Sequence, residues 1–217
     1  RRQRQMCIRD SAYPYNYMIG SEAQRRDAID YLKLSLEMAK EMGAEFVLTS
    51  PANGGYLATY DQLWSRLEKN IQELGDYAAK LEIKLVVEAL TPYESNFFTR
   101  ANDLVELFRR VDNPYVVGMC DIVPPFVQHE SIMAYFDKLG NKMDHMHIID
   151  GENGSDTHLI PGEGNIPIKE MLYEMKRIGY DKTATLELVT NYINEPRFYA
   201  KRAIDNMREL MAEAGIV

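Results

Sequence analysis

Basic side chains, cysteine and long apolar runs are all scarce in this sequence, and each scarcity closes a route. The chain has 25 lysines and arginines against 33 aspartates and glutamates, a net charge of −8. Phosphate binding needs a clustered basic face, so no nucleic-acid partner is expected. No apolar run approaches the ~20 residues of a membrane helix, and no secretory apolar region is present. Neither a membrane partner nor export is therefore expected, and the expected location is cytoplasmic. Two cysteines, Cys7 and Cys120, cannot build a disulfide framework. Cys120, set in an apolar stretch, reads as a small buried hydrophobe. No GxGxxG loop follows a strand, which counts against an open dinucleotide-binding sheet. The segment Pro161-Gly162-Glu163-Gly164 has two glycines but does not open a helix directly, and its turn chemistry makes it a loop.

What is present is 217 residues with 46% hydrophobic side chains, enough for one well-packed domain. The first ten residues carry four arginines and almost no apolar periodicity. Residues 1–11 are expected to be a non-native tail, which leaves 12–217 as the folded part. From Ser21 the pattern is regular. Ser21 with Gln24 resembles a capping box, and Ile29, Leu32, Leu36 and Ala39 follow at helical spacing up to Gly43. Then come a strand over 45–50, a helix over 60–80, a strand over 84–90 and a helix over 101–111. A strand over 115–121, a helix over 130–139 and a strand over 144–149 follow. A helix over 168–178, a strand over 183–189 and a closing helix over 195–214 complete the chain.

Apolar strands alternating with helices predict an α/β fold with a parallel sheet covered by helices. Five strands fall short of the eight of a (β/α)₈ TIM barrel, which takes ~250 residues. The expectation is a barrel truncated at its N-terminus, with about five of its eight strands present. The piece Tyr13-Pro14-Tyr15-Asn16 reads as the end of a strand–loop unit.

Glu88, Asp121, His147 and Glu187 stand near the C-terminal ends of four successive strands. In a parallel barrel those ends converge on one mouth, where barrel enzymes build their sites. Any one of them alone is as well read as a satisfied core or capping residue; four at equivalent positions are not. Buried carboxylates are costly unless they are paired or hold a metal. Three carboxylates and an imidazole suit Mn²⁺, Mg²⁺ or Co²⁺ better than a thiolate-rich zinc site. His145 shares a side of its strand with His147 and is a candidate to support it. Trp64 lies within a helix pattern and reads as core.

The segments YPYNYMIG, EALTPYESN, YFDKLGNKMDHMHIID, SDTHLIPGEG and ELVTNYINEPRFYA cover nearly all of the chain beyond its first residues. In them the chain resembles the ketose 3-epimerase branch of the xylose isomerase-like barrels, and most of all its fructoselysine-type subgroup. The resemblance implies a metal held by Glu88, Asp121, His147 and Glu187, with Mn²⁺, Co²⁺ or Ni²⁺ as the candidate ions. It places the family's glutamate six residues beyond the first ligand on Glu94. Pro124 stands where many ketose epimerases carry a histidine. His158 takes part of the role of an arginine that has no match here.

The implied reaction moves a proton at C3 of a ketose or ketoamine through an enediolate, with Glu88 and Glu187 as the two bases and the metal as Lewis acid. Glu94, His158 and Arg197 are the candidate substrate contacts, and Tyr13 and Tyr15 candidate pocket walls. The expected partner is a small sugar or sugar-amine, and a homo-oligomer is compatible with the sequence. A sugar dehydratase or hydroxypyruvate isomerase could share the metal set, and a truncated chain could be inactive. A histidine-rich multi-zinc DNA endonuclease of the same fold is disfavoured by four histidines and an acidic surface.

Overall fold

A computed structural model describes residues 8–9, 16–152 and 154–216. Cys7 and the Tyr13–Tyr15 piece lie outside the described residues. The elements are β1 (Ile8–Arg9), α1 (Glu22–Met42), β2 (Phe46–Thr49), α2 (Tyr60–Leu81), β3 (Lys84–Val87), α3 (Ala101–Arg110) and β4 (Val116–Asp121). They continue with α4 (Val123–Val127), α5 (Met133–Leu139), β5 (Met143–Ile148), α6 (Ile168–Ile178), β6 (Thr183–Leu186) and α7 (Pro196–Glu213).

Local chemistry explains the helix ends. The Ser21 hydroxyl accepts from the Gln24 amide at 3.2 Å and the Gln24 side chain accepts from the Ser21 amide at 2.8 Å, the reciprocal capping expected. Gly43 stops α1 at φ 70°, a left-handed turn that costs glycine nothing. The helix expected from residue 130 begins at Met133, and a short helix, α4, precedes it. Two consecutive prolines, Pro124 and Pro125, open α4 at positions where no amide donor is needed; no apolar period announces so short an element.

Among the described residues the sheet has six strands in the order β1-β2-β3-β4-β5-β6, every neighbouring pair parallel. That is one more than the five expected. The extra strand is two residues long, below any periodic signal, and lies within the stretch set apart as a tail. Among the described residues β1 pairs only with β2 and β6 only with β5.

Both faces of the sheet are buried along β2, β4 and β5 and along β3 beyond Lys84, and side chains alternate between them. Val47, Leu85, Val87, Val116, Cys120, Met146 and Ile148 join the main core between strands and helices. Phe46, Leu48, Val86, Val117 and Met119 form a separate apolar cluster on the inner face. Trp64 is core as expected, packed edge-on against Phe97 at a ring separation of 5.3 Å.

A register shift between Gly118 and Met119 separates Met143 from His145 along β5. Asp144, at the irregularity, is held by the Lys84 ammonium at 2.7 and 2.8 Å from its two oxygens. This ion pair joins β3 to β5 across the N-terminal ends of the strands.

Candidate metal centre

The four strand-end residues converge. Asp121 closes β4 and His147 is the next-to-last residue of β5, while Glu88 and Glu187 stand one residue past β3 and β6. Along β3 and β4 the inner face is apolar (Val86, Val117, Met119) and the next inward position is a carboxylate. All four residues are buried, with one ligand atom from each lying within 4.8 Å of the others. His147 Nδ1 is 2.8 Å from Glu187 Oε2, 3.2 Å from Glu88 Oε1 and 3.6 Å from Asp121 Oδ2. Three carboxylates and one imidazole nitrogen, gathered out of water, make a donor set for one hard divalent cation. Burial alone would raise the Asp121 carboxyl, but the imidazoles of His147 and His158 hold it well below the usual carboxylate range.

Beneath the centre lies His145. Its Nδ1 is 2.7 Å from the Thr183 hydroxyl and its Nε2 3.1 Å from that of Thr185. Its ring lies 4.8 Å from that of Phe46 and 5.5 Å from that of His147. Burial, aided by His147 alongside, lowers it to about 3. His145 is therefore a neutral spacer below His147, in ring contact with it.

Of the three candidate substrate contacts, the fold brings two towards the centre. His158 is buried, with Nε2 3.6 Å from Glu187 Oε2 and 3.8 Å from Asp121 Oδ2. Burial would lower its ring, yet the carboxylates of Asp121 and Asp156 push it up to about 10. Glu94 turns its carboxylate back to the Thr91 hydroxyl at 3.0 Å. Desolvation raises it, and the Asp156 carboxylate adds to the effect. Arg197 is exposed in the first turn of α7 and makes no contact with the four among the described residues.

Sequence reading passed over Asp150 and Asp156. Asp150 is buried, and its carboxylate accepts from the amides of Gly151 (2.9 Å), Gly162 (2.9 Å) and Ile166 (3.0 Å). Its backbone also exchanges two hydrogen bonds with Leu159, at 2.7 and 2.8 Å. The PGEG loop thus folds around one anion. A Cβ on Gly164 would come within 2.5 Å of Asp150 Oδ1 and 2.4 Å of the Gly151 carbonyl oxygen, so only glycine fits there. The glycines of that loop were the available signal for a buried partner. Asp156, in an irregular loop, gave none.

A family model described as xylose isomerase-like TIM barrel matches residues 6–210. The chain is 46% identical over 203 residues to the fructoselysine 3-epimerase of Shigella flexneri, covering 94% of this chain and 74% of that protein. Among solved structures it is similar to a D-tagatose 3-epimerase-like protein, with a TM-score of 0.81 and 21% identity, over 96% of this chain and 78% of that one. It is also similar to the D-psicose 3-epimerase of Clostridium cellulolyticum H10, with a TM-score of 0.74 and 18% identity, over 91% of this chain and 75% of that one.

Proposed function

This chain belongs to the xylose isomerase-like TIM barrels, and we propose that it is a metal-dependent, cytoplasmic 3-epimerase acting on a ketoamine of the fructoselysine type. The observation that carries this reading is the convergence of Glu88, Asp121, His147 and Glu187, with a glutamate on each flank. The 46% identity to a fructoselysine 3-epimerase supports the choice of substrate class. These four residues would hold Mn²⁺, Co²⁺ or Ni²⁺, which when bound would supply Lewis acidity towards a ketone and its neighbouring hydroxyl.

Epimerisation takes a proton from one face of C3 and returns one to the other, which needs two bases on opposite sides. Glu88 follows β3 and Glu187 follows β6, with β4 and β5 between them. One carboxylate takes the C3 proton and the other delivers a proton to the opposite face. Asp121 and His147 mainly hold the ion. His158 and Glu94 meet substrate hydroxyls from the loops after β5 and β3. Arg197, without a carboxylate partner among the described residues, takes the distant carboxylate of the amino-acid part.

The test is proton exchange. With Co²⁺ or Mn²⁺ and fructoselysine in D₂O, NMR should report deuterium at C3 and the C3 epimer, both abolished by chelation. Exchange with a free ketose but not with fructoselysine would overturn the substrate class. Metal-dependent loss of water without C3 inversion would move the chain to the dehydratases.

A further inference from the structure

We infer that Asp156 is a positioning residue that locks the His158 imidazole with its Nε2 facing the metal-binding carboxylates. The inference rests on the assignment of His158 to the substrate in the proposed function. His158 Nδ1 lies 2.9 Å from Asp156 Oδ1, and on the other side of the ring Nε2 is 3.6 Å from Glu187 and 3.8 Å from Asp121. The first is an ion-pair contact at hydrogen-bond distance; the other two are longer. One nitrogen is therefore committed, and the other is available to an oxygen brought in between ring and carboxylates.

Asp156 is itself fixed. Its second oxygen accepts from the Thr91 hydroxyl at 2.9 Å, and that hydroxyl also lies 3.0 Å from Glu94. Thr91 belongs to the loop after β3, which carries Glu88 and Glu94, whereas Asp156 and His158 belong to the loop after β5. The Tyr93 hydroxyl adds a second tie between the two loops, donating to the Gly154 carbonyl at 2.9 Å. Behind His158 the Asp150 knot fixes Leu159 and the turn that follows. His158 has φ 47°, a left-handed conformation that costs a non-glycine residue and persists only where its surroundings enforce it.

A carboxylate against one ring nitrogen fixes both the plane of an imidazole and its tautomer. Above about pH 10, where the ring is neutral, it keeps the proton on Nδ1 and leaves Nε2 facing the site. An asparagine at 156 can offer its amide N–H to Nδ1 instead, which selects the opposite tautomer.

Two measurements test this, one of them independent of turnover. The first is ¹⁵N NMR of the imidazoles in the metal-free protein above about pH 10, where the His158 ring is neutral, with the His158 signals identified by their loss in His158→Asn. Asp156→Asn should convert His158 from Nδ1- to Nε2-protonated, and Asp156→Ala should release it to a mixture. Ring signals unchanged in both variants would overturn the inference.

The second is a double-mutant cycle on C3 exchange in the metal-loaded enzyme. Asp156→Ala should lower kcat about 10–100-fold with little change in KM, and should cost nothing further in the His158→Asn background. An equal loss in both backgrounds would overturn positioning through His158. If His158→Asn alone leaves exchange intact, the substrate role of His158 fails, and the tautomer measurement still decides what Asp156 does.

Discussion

The same strands end in opposite electrostatics. At their N-terminal ends β3 and β5 are joined by Lys84 and Asp144, one positive and one negative charge at 2.7 Å. At their C-terminal ends the pair becomes Glu88 and His147, joined by Asp121 from β4 and Glu187 beyond β6. Charges cancel at the first end and like charges gather at the second. A pair that cancels is complete within the fold. Three carboxylates around one imidazole call for a cation from outside. The N-terminal ends of barrel strands carry stability and the C-terminal ends carry chemistry, and here the two roles are divided by the sign of the residues alone.

The sharpest way to break this contrast is Glu187→Gln. Removing one base and one ligand should lower C3 exchange by roughly 10²–10⁴-fold and weaken divalent-metal binding, measured by NMR and titration calorimetry. The metal-free protein should be no less stable in urea, because a like charge has been removed from the cluster. Normal exchange in this variant would refute the two-base assignment.

At the other end the expected signs reverse. Asp144→Ala strands the Lys84 ammonium and should cost about 2 kcal/mol in urea unfolding, less than a fully buried pair because Lys84 is partly solvated. Activity measured well below the unfolding midpoint should persist. Loss of exchange without loss of stability would contradict the division of roles.

The smallest effect lies at the rim. Burial and Asp156 raise the Glu94 carboxyl above its ordinary value. A carboxyl raised on folding contributes stability that is present below its unfolded value and lost as pH rises through the folded one. Glu94→Gln should therefore stabilise the protein at pH 7 by about 0.5 kcal/mol, the scale of one like-charge contact. The gain should vanish near pH 4, where wild-type Glu94 is protonated too. A stability difference independent of pH would exclude this electrostatic origin.

Much of this contrast was legible before the structure. Apolar strands such as EFVLTS and KLVVEAL betray a parallel sheet because both faces are buried, and four polar residues at equivalent ends of such strands have few ordinary explanations. The four-residue cluster could be read for that reason. The Lys84–Asp144 pair could not, because it depends on the register shift at Gly118/Met119, and a shift of pairing leaves no trace in the composition of either strand. β1 is too short for periodicity and α4 is built on two prolines. Asp156 and Thr91 act between two irregular loops whose approach depends on the whole sheet. Arg197 could be named from its place in the chain but not from any contact.

The Asp150 carboxylate gathers the amides of Gly151, Gly162 and Ile166, and three donors sharing one acceptor also share one fate. None of the three can leave for water without loosening the hold on the others. Their exchange with solvent hydrogen is then expected to report one shared opening free energy, so that protection measured at any one of them gauges the whole loop that carries His158.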